Sequence, residues 1–320
     1  MAEIAVDRLQ LRRTLRRLEQ RLADFLGHED AIVFSSGYMA NVATIGAIAS
    51  PNDVIVGDVY NHASILDGYR LSGAETIPYA HNDMRDLERA LRKAADRRTL
   101  LVTDAVFSMD GDIADLPAIK ALADQYHATV MVDEAHSLGV LGPTGRGIVE
   151  HYQMAPQDVD IAMGTLSKTI PSAGGYVAGS SDLIFALKNN ARGWMFSAAL
   201  PPTQAAAALA AVDLIAAAPQ RVIDLHNLTA CYRNELHRLG FDTMLSDSPV
   251  VPIRCKSSEQ AIAMARRCQQ LGLFVQPITY PTVPKAAPRL RTIINLTHTQ
   301  DEIEHALNVF TRVGHELDLI

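Results

Sequence analysis

The stretch GTLSKTIPSAGG, residues 164–175, places one of the chain's six lysines among glycine, serine, threonine and alanine. A surface lysine normally belongs to a charged, solvated face. Lys168 instead follows the apolar run VDIAMGTLS (159–167) and precedes the strand-like GGYVAG (174–179). An amine at the end of a buried strand, with small neighbours leaving room around it, is an amine held against something.

Around this stretch, strand-like and helix-like segments alternate from residue 31 to about 218. AIVFSS (31–36) precedes MANVATIGAIA (39–49), DVIVGDV (53–59) precedes HASILDGYRLSG (62–73), and AETIPY (74–79) precedes DMRDLERALRKAA (83–95). TLLVTDAVF (99–107) precedes DLPAIKALADQYH (115–127), and TVMVDEAH (129–136) follows. Apolar strands alternating with amphipathic helices predict βα units around a mostly parallel sheet. Ligands of such sheets sit at the carboxyl ends of the strands. SSGY, SMDGD, DEAH and TLSK all fall at such ends.

After Pro219 the pattern changes. A helix (219–240), the strand SPVVPIRC (248–255), a helix (258–272), the strands LFVQPITY (273–280) and RLRTIINL (289–296), and a last helix (299–314) read as a compact α+β unit. The predicted organisation is an N-terminal helix (1–30), a large α/β domain (31–218) and a smaller C-terminal domain (219–320).

Composition bounds the function classes. Hydrophobic residues at 48% and charged residues at 20% suit a globular chain with a substantial core. A net charge of −7 argues against nucleic acid or an anionic membrane as partner. The Arg-rich LQLRRTLRRLEQRL (9–22) is the local exception, but Leu11, Leu15, Leu18 and Leu22 recur at helical spacing, which favours an amphipathic helix docked on the body or on another subunit. Cys231, Cys255 and Cys268 lie far apart without a CxxC pair, pointing to a reducing, cytoplasmic setting and no structural zinc. The most apolar segment, AAAALAAVDLIAAA (205–218), carries Asp213, is too short to span a bilayer and reads as a buried helix. No signal peptide is visible.

VMVDEAHSLG (130–139) admits three readings. In the first, Asp and His satisfy local backbone groups at a strand end. In the second it is a nucleotide-hydrolase box, but that needs a phosphate loop, and the sequence contains no Gly-Lys pair. A metal site is equally poor, because Asp133, Glu134 and His136 come without a histidine cluster. In the third, Asp133 pairs with a ring cation: a buried carboxylate can keep a pyridinium nitrogen protonated, and His136 can reach the ring's other substituents.

With Lys168 downstream, the third reading resembles pyridoxal phosphate (PLP) enzymes of the aspartate-aminotransferase fold (fold type I), in which a lysine forms a Schiff base with the cofactor. A free lysine amine titrates near pH 10.4, so such a lysine needs a desolvated, polar-clamped pocket. SSGYMAN (35–41), NHASILDG (61–68), VFSMDGD (106–112), VDEAHSLGVLGPTGRG (132–147), GTLSK (164–168), FSAALPP (196–202) and YPTVP…RLRTIINLTH (280–298) then narrow it. They resemble, in order and over nearly the whole chain, the α-oxoamine synthases.

The resemblance implies roles. Lys168 would be the Schiff-base lysine and Asp133 the partner of the pyridine nitrogen. His62 would stack on the ring, against the alternative of a histidine merely starting a helix, and His136 would bond the phenolic oxygen. Ser36, Gly37 and Tyr38 open a helix whose N–H groups suit a phosphate, and Thr165 would add a hydroxyl. Ser108 would lie near the ring, or else cap the SMDGD turn. Arg291 would hold an amino-acid carboxylate through its planar fork, with Arg289 its competitor. In FSAALPP, Ala198 and Ala199 stand where relatives often carry hydroxyls, leaving Ser197 as the residue a neighbouring subunit would offer to the cofactor phosphate.

The implied activity is a PLP-dependent acyltransferase that condenses an α-amino acid with an acyl thioester, on CoA or an acyl carrier protein, with loss of CO₂. A homodimer with shared sites is implied too. An aminotransferase or aldolase on the same scaffold is the alternative, as is a non-catalytic subunit stabilising an active partner. Family members usually carry a further N-terminal segment with a Gly-rich stretch and a pocket Asn; this chain begins just upstream of the helix preceding SSGY.

Overall fold

The computed structural model describes residues 2–94 and 96–320, with side chains from Arg13 onward apart from residue 95; Leu11, the first of the four spaced leucines, lies outside the described side chains. The chain divides into two compact units. One comprises the residues up to Val106 with Ala114–Pro219, the other Phe107–Ile113 with Gln220–Ile320.

The first unit is built on seven strands: β1 (Asp30–Phe34), β2 (Val54–Asp58), β3 (Glu75–Tyr79), β4 (Thr99–Asp104), β5 (Thr129–Asp133), β6 (Ile161–Thr165) and β7 (Gly175–Gly179). Their order is β1-β7-β6-β5-β4-β2-β3. All neighbours run parallel except β7, which is antiparallel to both β1 and β6. Every residue of β2, β4, β6 and β7 is buried, whereas the edge strand β3 is largely exposed. Helices cover both faces of such a sheet, so its central strands read as continuous apolar runs rather than alternating ones.

Several helices start where a polar side chain satisfies their first N–H groups. α1 (Ala2–Leu26) buries Leu18 and Leu22. α2 (Gly37–Ile48) is capped by Ser36, whose Oγ accepts from Met39 N–H at 3.1 Å. α3 (Ala63–Ser72) is capped by His62 and stopped by Gly73, whose φ of 70° lies in the left-handed region that favours glycine. The Ala-rich segment forms the helix Pro202–Ala217, but it is buried along one face only, at Ala205, Ala208 and Val212. Its Asp213 accepts from Arg21 Nε on α1 at 2.6 Å. The reading of a buried helix is thereby corrected: Ala206, Ala207, Ala210, Asp213 and Leu214 are exposed, so only one stripe faces the body. Among the described residues, no single helix is long and apolar enough to cross a membrane.

In the second unit, β8 (Val250–Arg254), β10 (Arg289–Ile293) and β9 (Gln276–Ile278) form an antiparallel sheet in that order. Its core joins Leu290 and Ile253 to Tyr232, Met264 and Phe310 of the three helices. LFVQPITY pairs over only three residues, because Pro277 has no N–H for the ladder and Phe274 turns out to solvent. The turn Phe107–Ile113 belongs here: Gly111 (φ 74°) lies so close to β8 that an added Cβ would meet Val250 O at 1.9 Å.

Candidate active site

Three adjacent strands of the first unit end in buried aspartates: Asp58 on β2, Asp104 on β4 and Asp133 on β5. Asp104 and Asp133 are direct partners in the register. Burial, and then the charge of Asp133, push the Asp104 carboxyl well above the ordinary aspartate range. Asp104 Oδ2 accepts the His62 backbone N–H at 2.8 Å. Asn61 fixes the same turn by accepting from Asp104 N–H at 3.1 Å and donating to Val102 O at 2.8 Å.

His62 is thus held at the sheet's carboxyl edge. Its Nδ1 accepts from Ser64 N–H at 3.3 Å and lies 2.7 Å from Ser64 Oγ. Burial lowers its pKa; Asp133 opposes that, and the Lys168 charge adds to it. Asp133 Oδ1 accepts Ala135 N–H at 2.9 Å, and Oδ2 accepts from Asn41 Nδ2 at 2.7 Å. His136 is half-buried in the turn after β5. Lys168 lies in the loop just past β6, where its charge is felt by both His62 and Asp104. It is exposed in the single chain rather than desolvated, because its neighbours Ser167 and Thr169 are small and themselves exposed.

A second cluster forms where α2 begins. A Cβ on Gly37 would come within 2.9 Å of Thr165 Oγ1, and a Cβ on Gly175 within 2.6 Å of Gly37 Cα. The first N–H groups of α2 therefore meet the end of β6 with no side chain between. Thr165 Oγ1 lies 2.9 Å from Ser167 Oγ. Ser36 spends its hydroxyl on the helix cap, and the Tyr38 hydroxyl donates to Asp67 while its ring is about half exposed, leaving these two to contribute backbone N–H.

These residues fit PLP by the chemistry of their donors. Helix N–H groups and a threonine hydroxyl suit a phosphate, a buried carboxylate suits a ring N–H⁺, and a lysine stands past the adjacent strand. Glu134 serves the fold instead. Burial pushes its carboxyl up to about 7, it accepts from Ser137 Oγ and Ile148 N–H, and a Cβ added at Gly147 (φ 102°) would run into its carboxylate.

The remaining candidates stand elsewhere. Ser197 is exposed and, with Ser35 and Trp194, lines a pocket of about 260 Å³. Ser108 is half-buried in the Phe107–Ile113 turn of the second unit. On β10, Arg289 is buried and spends four of its five N–H donors, on Ala287 O (twice), Met109 O and the Asp110 carboxylate. Arg291 lines a groove of about 620 Å³ within the second unit, and its buried Nε has no hydrogen-bond partner. Sequence reasoning missed Asn41, Ser64 and Asp104. Each lay inside a quoted stretch, as a polar residue amid apolar ones, and that was the available signal.

Residues 7–310 match the aminotransferase class I and II family. The chain is 43% identical over 305 residues to an 8-amino-7-oxononanoate synthase from Thermoanaerobacter pseudethanolicus, covering 95% of this chain and 77% of that protein. A second, from Geobacter sulfurreducens, is 45% identical over 306 residues, with coverage of 95% and 78%. A solved serine palmitoyltransferase from S. paucimobilis, with a PLP–myriocin adduct bound, superposes with a TM-score of 0.91 at 34% identity, over 95% of this chain and 77% of that one.

Proposed function

The chain belongs to the aminotransferase class I and II family and, within it, to the PLP-dependent α-oxoamine synthases, and from that premise we propose that it joins an α-amino acid to an acyl thioester with loss of CO₂, using Lys168, Asp133, His62 and His136. The observation that supports these residues most directly is Asp133 itself, buried and held from both oxygens at the centre of the sheet's carboxyl edge.

When bound, the cofactor supplies an electron sink for charge developing at the amino acid's Cα. The protein's part is to hold and to move protons. Asp133 would keep a ring nitrogen protonated, His62 would cover a ring face, and His136 would reach the phenolic oxygen. Ser36, Gly37, Tyr38 and Thr165 hold the phosphate. Lys168 would anchor the cofactor and would supply the base for the Cα proton. By the family resemblance Ser108 would serve the ring and Arg291 the substrate carboxylate. What favours Arg291 over Arg289 is that the latter already spends four of its five N–H donors, whereas the buried Nε of Arg291 has no partner.

Several finer points belong to the same reading. The chain is a cytoplasmic homodimer, in keeping with its unpaired cysteines, and Ser197 of one subunit serves the other's site. The three-part division into 1–30, 31–218 and 219–320 belongs to the same proposal, except that Phe107–Ile113 groups with the C-terminal unit. The product named for the relatives, taken apart at the new C–C bond, leaves alanine and a seven-carbon dicarboxylic half-thioester as the first substrate pair to offer, on CoA or on an acyl carrier protein. Neither the aminotransferase or aldolase alternative nor the scaffold alternative is favoured.

The test has two readouts. Protein supplied with PLP and reduced with borohydride should carry the label on Lys168, and a panel of amino acids and acyl thioesters should yield an α-amino ketone by mass spectrometry. A label on another lysine would overturn the site. Keto-acid products without CO₂ release would return the aminotransferase.

A further inference from the structure

Asn41 and Ser64 stand between Asp133 and His62. The Asn41 amide nitrogen lies 2.7 Å from Asp133 Oδ2 and 2.9 Å from Ser64 Oγ, and Ser64 Oγ lies 2.7 Å from His62 Nδ1. Asn41 and Ser64 are each 1% exposed, and Asp133 is 3% exposed. Asn41, Ser64 and Asp133 are shut off from water, and only the His62 ring, at the far end, is exposed, so the hydrogens of the buried three are assigned to protein atoms.

The assignment follows from what each group can give. Asp133 Oδ1 is already an acceptor for Ala135 N–H, and a carboxylate offers only acceptors, so the nitrogen of Asn41, not its oxygen, faces Oδ2. One Asn41 hydrogen goes to Asp133 and the other to Ser64 Oγ. Ser64 has a single hydroxyl hydrogen, and His62 Nδ1 is the partner left for it. The Ser64 backbone N–H also points at Nδ1. Met by donors only, Nδ1 carries no hydrogen, and the imidazole proton sits on Nε2. The arrangement has a cost: with both hydrogens so directed, Asn41 Oδ1 is buried without a partner. A site needing only packing would be better filled by leucine, because an unsatisfied buried acceptor is destabilising.

We propose that Asn41 and Ser64 are positioning residues that couple Asp133 to His62, Asn41 fixing the carboxylate that faces the cofactor ring and Ser64 fixing His62 as the neutral tautomer with its proton on Nε2. This rests on the reading of Asp133 and His62 as cofactor residues. Its consequence is directional. His62 presents a donor, not an acceptor, from its outer nitrogen, and any turn of the ring is resisted through Ser64 and Asn41 by the same carboxylate that holds the cofactor.

The test reads the tautomer. Protein labelled with ¹⁵N-histidine is studied at pH 8 by long-range ¹⁵N–¹H correlation, with and without PLP, and the His62 signals are identified by their loss in His62→Asn. The expected wild-type result is a bare Nδ1 and a protonated Nε2. A proton on Nδ1, or on both nitrogens, overturns the proposal. In Ser64→Ala the two tautomers should mix, and in Asn41→Leu PLP should bind about tenfold more weakly in equilibrium dialysis, the size of one lost hydrogen bond to a charged group. An unchanged tautomer in the first variant with unchanged PLP affinity in the second also overturns it. If either variant fails to fold, the wild-type tautomer still decides. Failure of Lys168 to take the borohydride label counts against the functional reading alone, since the tautomer is read without cofactor as well.

Discussion

Asp104 stands beside Asp133 in the register of β4 and β5, and the two carboxyls share one buried rim of the sheet. Two neighbouring buried acids do not both ionise readily, and it is Asp104 whose pKa is driven up. Its contact, accepting the His62 N–H, needs no charge. Asp104→Asn should therefore leave PLP affinity within about twofold, since an amide oxygen accepts as well. A carboxyl with a raised folded-state pKa costs stability as pH climbs past its unfolded value. Urea denaturation at pH 5 and pH 8 should show Asp104→Asn gaining on wild type at the higher pH. The reverse order would mean that Asp104 is held as the anion.

Glu134 gives the same sign with a number attached. Its carboxyl moves from an ordinary 4.5 to about 7 on burial. Between those values the unfolded chain has released a proton that the folded chain keeps, so stability falls as pH rises through the window, by up to roughly 3 kcal/mol. Glu134→Gln retains the acceptor for Ile148 N–H and should flatten that slope in melts recorded from pH 4 to 8.

Arg289 and Arg291 share a strand and should respond oppositely. Arg289→Met strands the Asp110 carboxylate and two carbonyls, and should cost about 3–5 kcal/mol in thermal unfolding. Arg291→Lys should fold like wild type and still take PLP, but bind glycine, alanine or serine roughly ten- to a hundredfold more weakly in a spectral titration, because lysine keeps the charge and loses the fork. An Arg291→Lys protein that titrates normally would move the carboxylate elsewhere.

Gly175 and Gly46 form a matched pair. A methyl at Gly175 meets the Gly37 backbone at 2.6 Å, whereas one at Gly46 meets nothing within 4 Å. Gly175→Ala should destabilise by about 1–3 kcal/mol and, by lifting the start of α2 from β7, weaken PLP binding. Gly46→Ala should stabilise by up to about 1 kcal/mol. Calorimetry of the two proteins checks both signs.

Much of this was legible because local chemistry and global fold agree. Asp83 and Asp115 cap the helices that their positions announced, and the alternation of strand and helix placed the polar clusters at strand ends. The antiparallel course of β7 was not legible: GGYVAG reads the same in either direction, and only its pairing with β1 and β6 decides. Nor were Asn41 and Asp104, whose partners Asp133 and His62 are brought to them by the sheet rather than by spacing along the chain. For the two arginines of β10, the sequence could offer only a shared face. Burial distinguishes them, because Arg289 is closed in by the SMDGD turn, which joins β10 from far away in the chain.

The place of β7 has a further consequence, for the order in which the chain can fold. Among the described residues β1 finds its only sheet partner in β7, with Asp30 opposite Gly179, and β7 also closes the free side of β6. During synthesis the first strand emerges long before the one it needs, and until residue 179 is made both β1 and β6 present unpaired backbone. Such distant pairing is slow and leaves edges open to other chains. Nascent chains stopped short of Gly175 should be the form most prone to aggregate, and those released just beyond Gly179 the first in which the amide hydrogens of β1 resist exchange with solvent.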